Sequence, residues 1–552
     1  MVSFVALSIA AVFFIVNYIL ISNGHFNEDA YILFIYVENF INGNGITYYS
    51  GASPIEGATD FLWLVLLIGL VKTGLDTGTS VIVLNSIGVF IIGFIIYSTI
   101  ANSKINNKKL LMLLYPFVFL WMLQQPFIAA LGGFSVFLYM ALVLVGFVST
   151  LNKKYITYTP YIAIIIALFR PDGVIIGIGL TMVGLCKVYD KPQLRPYLIG
   201  MLVGLVVGMS YFVWRYNYFG QLLPLPLYVK SHGAALAGLY PNTSWFVRNI
   251  LLFGPLIYLA VINEKCKYYL FHSIPVLMLL GTLTFATQSQ NIGYRFQAPA
   301  LIVGYYVFLL LLIEYIESEK YKSLSKSLLI FYMVLMLLLG VKYIWSARKV
   351  VEFDYVNQVP ILINKHLPDE SVIALTEAGK MAYWNQKGGH KIIDLVGLNS
   401  VYPAKNTINL KYLESISPDV VMYHHGRTLE TEWLRNKKKR YIYLSGEDKK
   451  SFINKERDSG EDYSKISKVI NSAIVSTEYL NKYFNDYDVF LLDHGEFGLY
   501  YHVYAFKKSL NIRNKMHAIF ENSFNRDTTM SYYEMLKIRK SDMGPKLAEV
   551  KY

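Results

Sequence analysis

The sequence predicts a polytopic α-helical membrane protein that carries a C-terminal α/β domain, and three observations predict it. Of its 552 residues, 54% are hydrophobic and only 16% are charged, where a soluble protein of this size holds about a quarter charged. Apolar runs of helix-spanning length recur from residue 2 to residue 346, which is what a bilayer core selects. Beyond about 350 the apolar runs shorten to strand length, separated by helix-length intervals, the pattern of an α/β layer.

The first run, Val2 to Ile21, has no Lys or Arg before it and no small-x-small site after it. It reads as a retained anchor rather than a cleaved signal. Further runs fall near 79–100, 110–125, 133–150, 157–186, 196–216, 247–264, 269–286, 297–315 and 326–346. The short loops at Lys104 to Lys109, Lys153-Lys154, Lys187 to Arg195, Glu264 to Lys267 and Lys320 to Lys326 are basic and so face the cytoplasm. The 23–60 segment is acidic, with Glu28, Asp29, Glu38, Glu56 and Asp60, and belongs outside. Phe61 to Val71 is apolar but too short to cross, and reads as a half-inserted helix on the outer face. The 157–186 run has basic loops at both ends and Arg170-Pro171-Asp172-Gly173 in its middle. A charged helix breaker there predicts two short helices joined by a turn, the alternative being one long tilted helix with a buried ion pair. With that hairpin counted twice, about eleven spans put the N-terminus inside and the C-terminus outside.

In the C-terminal part, Ser371 to Leu375, Lys391 to Leu395, Asp419 to Tyr423, Val489 to Asp493 and Tyr500 to Phe506 read as strands. Residues 440–470 and those after 510 are charge-rich and read as solvated. The expected domains are a membrane catalytic domain over 1–348 with a first outer loop 23–78, an extracytoplasmic α/β domain over 349–510, and a charged tail over 511–552.

The net charge of +13 lacks a basic stripe interleaved with stacking aromatics, so nucleic acid is not expected as a partner. Cys186 and Cys266 are the only cysteines and neither has a ligand partner at metal spacing, so no disulfide framework or cysteine metal site is expected. His424-His425 is not a spaced ligand pair, Gly132-Gly133 and Gly43-Asn44-Gly45 lack phosphate-loop context, and Asn242-Thr243-Ser244 is a chance-level sequon. Ionisable groups at membrane depth are expensive and face a cavity or a partner. Those on the outer side are Arg170 and Asp172 at the hairpin turn, Arg215 at a span end, Tyr228, Lys230 and His232 after it, and Arg295 beside Tyr294. Together they form a cationic set suited to a lipid phosphate, although each Arg singly reads equally well as snorkelling or structurally paired. The adjacent carboxylates Glu28 and Asp29 are placed to act as a general base, or to favour the N-terminus of the helix that follows them.

The order of these motifs resembles the GT-C glycosyltransferases, polytopic enzymes that use polyprenyl-phosphate sugars. Asn27-Glu-Asp-Ala-Tyr-Ile32 is similar to their paired-acid motif. In order there follow Tyr36-Val-Glu-Asn39 with Gly43 to Gly45, Ile55-Glu-Gly-Ala-Thr-Asp-Phe-Leu-Trp63, Ala167-Leu-Phe-Arg-Pro-Asp-Gly173, Arg215 to Pro224 with Lys230, and Tyr294-Arg-Phe296. Thr376-Glu-Ala-Gly379 and Ile393-Asp-Leu-Val-Gly397 resemble the family's outer domain. The match covers roughly 1–400 and is most similar to the bacterial branch containing the mycobacterial terminal arabinofuranosyltransferase. Where the family usually carries two aspartates, this chain has Glu28-Asp29, which leaves open which of them is the base. Between Gln125 and Phe134 the chain has Ala-Leu-Gly-Gly where relatives often carry Gly-Leu-Glu, which puts use of a divalent cation in doubt.

The resemblance implies an inverting transfer of a sugar from a polyprenyl-phosphate donor to a glycan, lipid or protein acceptor at the outer face of the cell membrane. Asp29 or Glu28 would be catalytic, Arg170, Arg215, Lys230 and Arg295 would hold the donor phosphate, and Glu56, Trp63, Asp172, Tyr228, His232 and Tyr294 would line the cavity. No cofactor is expected with certainty, and no protein metal ligands are assigned. The competing classes are a transporter or flippase of lipid-linked sugar, which would show repeated halves not found here, and a non-catalytic envelope scaffold, which would need no acid pair.

Overall fold

The apolar runs fold as helices in the computed structural model, which describes residues 2–105, 124–230, 236–317 (except 264 and 289), 358–425 (except 387), 441–444, 467–493, 501–523 and 530–542, with isolated positions 108, 112, 334, 338 and 342. The chain divides into two compact units. One holds Met1–Leu20, Thr59–Asn217 and Gly233–Val351, the other Ile21–Ala58, Tyr218–His232 and Glu352–Tyr552. The first outer loop is therefore split between them at residue 58.

The first unit is helical. Helices α1 (Val2–Ser22), α3 (Phe61–Lys72) and α4 (Thr77–Asn102) are followed by Val136–Leu151, Thr159–Phe169, Gly173–Val188, Leu194–Phe219, Cys266–Thr284 and Ala298–Glu317. Five of the described helices are long and apolar enough to cross a membrane, and Leu239–Arg248 and the helix after it, bent by 80° to one another, are a broken span or a re-entrant loop. The runs expected near 110–125 and 326–346 lie outside the described residues, as does much of the loop at Lys104 to Lys109. Asp76 starts α4 by accepting from Thr79 N–H at 2.9 Å, as an N-cap does. Inside α4, Asn85 is buried, yet both ends of its amide are used. It donates to Phe134 O at 3.0 Å and accepts from Phe137 N–H at 3.0 Å, so a polar group at membrane depth is satisfied by the start of the next helix.

The 157–186 run is a hairpin. Its helices stop at Phe169 and restart at Gly173. They pack back to back, since a Cβ on Gly177 would lie 2.8 Å from Ala163 O, and one on Gly173 2.1 Å from Ile166 O. One continuous helix would hold residues 163 and 177 about 21 Å apart at 1.5 Å per residue. The short helix α3, about 18 Å long by the same rise, buries Trp63, Leu64, Leu67 and Ile68.

The second unit opens with α2 (Glu28–Ile41), capped by Asn27, and carries a six-stranded sheet. Its strands are β1 (Val372–Leu375), β2 (Lys391–Asp394), β3 (Val420–His425), β4 (Tyr441–Leu444), β5 (Tyr487–Asp493) and β6 (Tyr501–Lys507), in the order β2-β1-β3-β6-β5-β4. β1 is parallel to β2 and β3, and the remaining pairs are antiparallel. Helix Lys468–Lys482 covers one face, packing Ala473, Tyr479 and Leu480 with Val421, Tyr423 and Val503. On the other face, Phe520 of helix Arg513–Ser523 meets the rings of Phe490, Tyr504 and Phe506.

Two expectations are corrected. The charge-rich 440–470 stretch contains β4, whose Ile442 and Leu444 are buried; four residues alternating behind Lys437 to Arg440 are lost in any average over the region. The stretch expected as a charged tail contains helices Arg513–Ser523 and Tyr532–Asp542, which bury Met516, Phe520, Tyr532 and Met535. Their apolar residues recur at helical spacing inside a charged sequence, the mark of a one-sided helix.

Gly173→Ala places its Cβ against a backbone oxygen that cannot rotate away, a clash of the overpacking kind that costs about 1–3 kcal/mol. The expected result is a lower melting temperature in detergent; an unchanged one would mean that the two helices are not in contact at this point.

Candidate functional site

The two adjacent carboxylates stand in the first turn of α2, where acids complement the helix dipole. Asn27 Oδ1 accepts from Asp29 N–H at 3.2 Å and fixes the start of the helix. Glu28, partly buried, reaches the loop after β1, where its Oε1 accepts N–H bonds from Gly379 at 2.7 Å and Lys380 at 2.9 Å. Those are the first amides of helix Lys380–Trp384, which needs an acceptor. Gly379 has no room for a side chain: a Cβ would stand 1.9 Å from Glu28 O. Burial pushes the Glu28 carboxyl up to about 7, helped by the nearby Glu377 carboxylate and opposed by Lys380 and the two amides. The same two helices are tied again by Tyr383 donating to Glu38 and by Tyr31 against Tyr383, and Arg539 of helix Tyr532–Asp542 pairs with Glu38 at 2.7 Å and lies over the Tyr383 ring.

Around this contact the unit is rich in polar loops. Asp394, wholly buried, closes its own loop by accepting from the N–H groups of Val396, Gly397 and Asn399 and from Asn399 Nδ2, at 2.8–3.1 Å. Tyr36 donates to Asn399 Oδ1 at 2.9 Å and accepts from Gly57 N–H. Glu56 is 5% exposed, and its carbonyl accepts from Leu225 N–H at 3.2 Å. That bond begins the short helix Leu225–Lys230, on which Tyr228 receives Lys405 Nζ 5.5 Å from its ring centre. Lys230 ends this helix, and His232 lies outside the described residues. Glu377 was assigned no chemistry from sequence, yet it meets His502 Nε2 at 3.2 Å and His424 Nδ1 at 3.6 Å. Its partners sit opposite one another on β3 and β6, a pairing that only the sheet register reveals. Among the described residues no group of three such side chains is arranged to hold a metal ion.

In the first unit the hairpin turn carries a bidentate ion pair, Arg170 Nε to Asp172 Oδ1 at 3.0 Å and Nη2 to Oδ2 at 3.2 Å. The Arg170 guanidinium lies 4.9 Å from the Tyr139 ring centre and 5.5 Å from that of Phe296. Arg295 approaches the other side of this group, 5.3 Å from Phe296 and stacked at 3.6 Å on Phe134. The structure thus brings Arg170, Asp172 and Arg295 together around Phe296. The Arg295 loop is held by a closed network of amides. Gln297 donates to Asn242 and Gln288, and Asn291 to Gln288 and Gln297, at 2.6–2.9 Å. Asn242, the first residue of the sequon, spends its own amide hydrogens on Leu280 O and Thr284 Oγ1. Tyr294 bonds Ser244 at 2.9 Å. Arg215 is 4% exposed near the end of helix Leu194–Phe219, with the Phe212 ring 5.9 Å from its guanidinium. Trp63, expected to line a cavity, is fully buried and packs on Phe169. Asp60, Phe134, Ser135 and Tyr139 belong to this group and were not singled out from sequence; Ser135 donates to Asp60 Oδ2 at 2.8 Å. Asp60 precedes an apolar run and is indistinguishable there from an ordinary helix cap.

A family model described as a domain of unknown function, DUF8728, matches residues 346–491. No curated protein matches the chain in sequence. Among solved structures the chain is similar to ArnT from Cupriavidus metallidurans bound to undecaprenyl phosphate, with a TM-score of 0.50 and 11% identity, over 80% of this chain and 96% of that one. The likeness establishes the architecture: this chain is a polytopic α-helical membrane protein with the GT-C fold and a C-terminal α/β domain.

Proposed function

We propose that the protein transfers a sugar from a polyprenyl-phosphate donor to a hydroxyl of a glycan, lipid or protein at the outer face of the cell membrane, with inversion. The acceptor oxygen attacks the anomeric carbon, the bond from that carbon to the phosphate oxygen breaks, and polyprenyl phosphate leaves as an anion. Asp29 takes the acceptor's proton. The shared fold with a protein solved on undecaprenyl phosphate supports the donor class.

The observation that carries the residue assignment is the capture of Glu28 by Gly379 and Lys380. Neighbouring helix positions project about 100° apart and do not face each other, so the two carboxylates cannot share one task. Glu28 is tied to the loop after β1, and the base is assigned to Asp29. A general base is typically worth about 100- to 10,000-fold in rate. In the helical unit, Arg295 is the first choice for the leaving phosphate. Arg170, Arg215 and Lys230 are the other candidates for holding it. Fixed cations in a site shielded from water stabilise the charge that develops on such a leaving group. The α/β domain is assigned to the acceptor side, outside the cell.

Asp29→Asn is expected to abolish transfer of label from radiolabelled polyprenyl-phosphate sugars in membranes, with folding intact, whereas Glu28→Gln keeps activity because an amide oxygen still accepts both N–H bonds. Near-normal transfer by Asp29→Asn would sink the assignment; loss confined to Glu28→Gln would move the base to Glu28.

The raised carboxyl of Glu28 also fixes a sign. Its protonated form is favoured by folding, so its contribution is full below the ordinary glutamate range near pH 4.5 and is lost as pH rises through about 7. Glu28→Gln removes that titration. Melting curves of the two proteins should converge near pH 5, with the variant the more stable above pH 7. Parallel curves at all pH would show that Glu28 is not buried as described.

A further inference from the structure

Asp60 stands at the N-cap of α3, where an aspartate ordinarily accepts an amide of the first turn. It makes no such side-chain cap. Its carboxylate accepts instead from Ser135 Oγ at 2.8 Å and Thr59 Oγ1 at 3.3 Å, is only half-buried, and lies within electrostatic reach of Arg170 and Tyr139. Two hydroxyls are modest compensation for a carboxylate drawn out of water, and its remaining lone pairs are acceptors only. Ser135 follows Phe134, the ring on which Arg295 stacks. One turn of chain therefore has a guanidinium on one residue and a carboxylate on the next. The cation and the acceptor are thus gathered by adjacent residues, Phe134 and Ser135.

A glycosyl phosphate has this same distribution of groups. Its anion hangs from the anomeric carbon, and its neutral hydroxyls, which donate hydrogen bonds, lie across the ring. Asp172, the other carboxylate of the group, is held in a bidentate pair by Arg170. We propose that Asp60 is the residue that recognises the donor sugar, accepting hydrogen bonds from adjacent ring hydroxyls of an uncharged sugar whose phosphate lies toward Arg295. The assignment rests on the transferase reading, and it adds the residue by which a sugar-bearing lipid is told from a bare one.

The test measures binding by the full-length protein in nanodiscs, in an Asp29→Asn background so that nothing turns over. The probes are undecaprenyl phosphate and a panel of undecaprenyl-phosphate pentoses and hexoses. The background protein is expected to favour at least one sugar-bearing lipid over the bare one by about ten- to a hundredfold, the range for hydrogen bonds to a charged group. Adding Asp60→Ala should erase that preference while leaving affinity for undecaprenyl phosphate itself unchanged. Asp60→Asn keeps an acceptor for Ser135, and should fold normally and lose most of the preference. Equal weakening of both lipids by Asp60→Ala would make Asp60 structural, and an unchanged preference would likewise overturn the proposal. If the background protein binds bare lipid but prefers no sugar, Asp60 loses its role and the transferase reading stands. If it binds neither lipid, both fall together.

Discussion

The second unit depends on one carboxylate. Glu28 Oε1 receives two amides from a loop more than 350 residues later in the chain, and through them the segment after the first span becomes part of the α/β domain. The bond works because of what surrounds it. Gly379 lets the two backbones touch, and the Tyr383–Glu38–Arg539 cluster joins them to helix Tyr532–Asp542. Removing the acceptor would orphan two amides at once, and buried unsatisfied donors cost about 1–3 kcal/mol each. The start of α2, and Asp29 with it, is fixed by this contact.

The helical unit solves a different problem. A charged turn in the middle of an apolar run is tolerable only if its charges are paired, and Arg170 and Asp172 pair bidentately across Pro171. Separating such a pair leaves an uncompensated charge and costs about 3–5 kcal/mol. Proline ends the first helix because it cannot continue the hydrogen-bond ladder. The aromatic rings of Tyr139, Phe296 and Phe134 then carry the guanidiniums of Arg170 and Arg295, where cation–π contact substitutes for water.

Much of this architecture was legible. The hairpin could be read from Arg-Pro-Asp-Gly inside an apolar run flanked by basic loops, and five strands from short apolar runs, since both are local patterns. Strand β4 and the last two helices could not, because their apolar residues are few and set among charges, and only packing reveals them. The same limit governs the sites. Arg170, Asp172 and Arg295 stood out as charges near membrane depth, and the structure gathers them. Asp60 did not, because it looks like an ordinary loop acid until a distant serine is brought beside it, and Glu377 stood out only as a strand-end acid, without the cross-strand histidine pair that the sheet brings beside it. Trp63, expected at a cavity wall, is fully buried against Phe169.

The paired-acid motif illustrates how two similar groups acquire different work. Environments that push neighbouring titratable groups apart separate their roles. Glu28 faces burial and the Glu377 carboxylate, and both favour its neutral form, while its Oε1 still accepts from two amides. The longer glutamate therefore suits the structural position, because its extra methylene lets it reach the 379–380 amides. The shorter aspartate, one residue on, is turned about a quarter of the helix away and has less reach. Two aspartates at these positions would lose that difference in reach, so the glutamate is the residue that ties this motif to its own α/β domain.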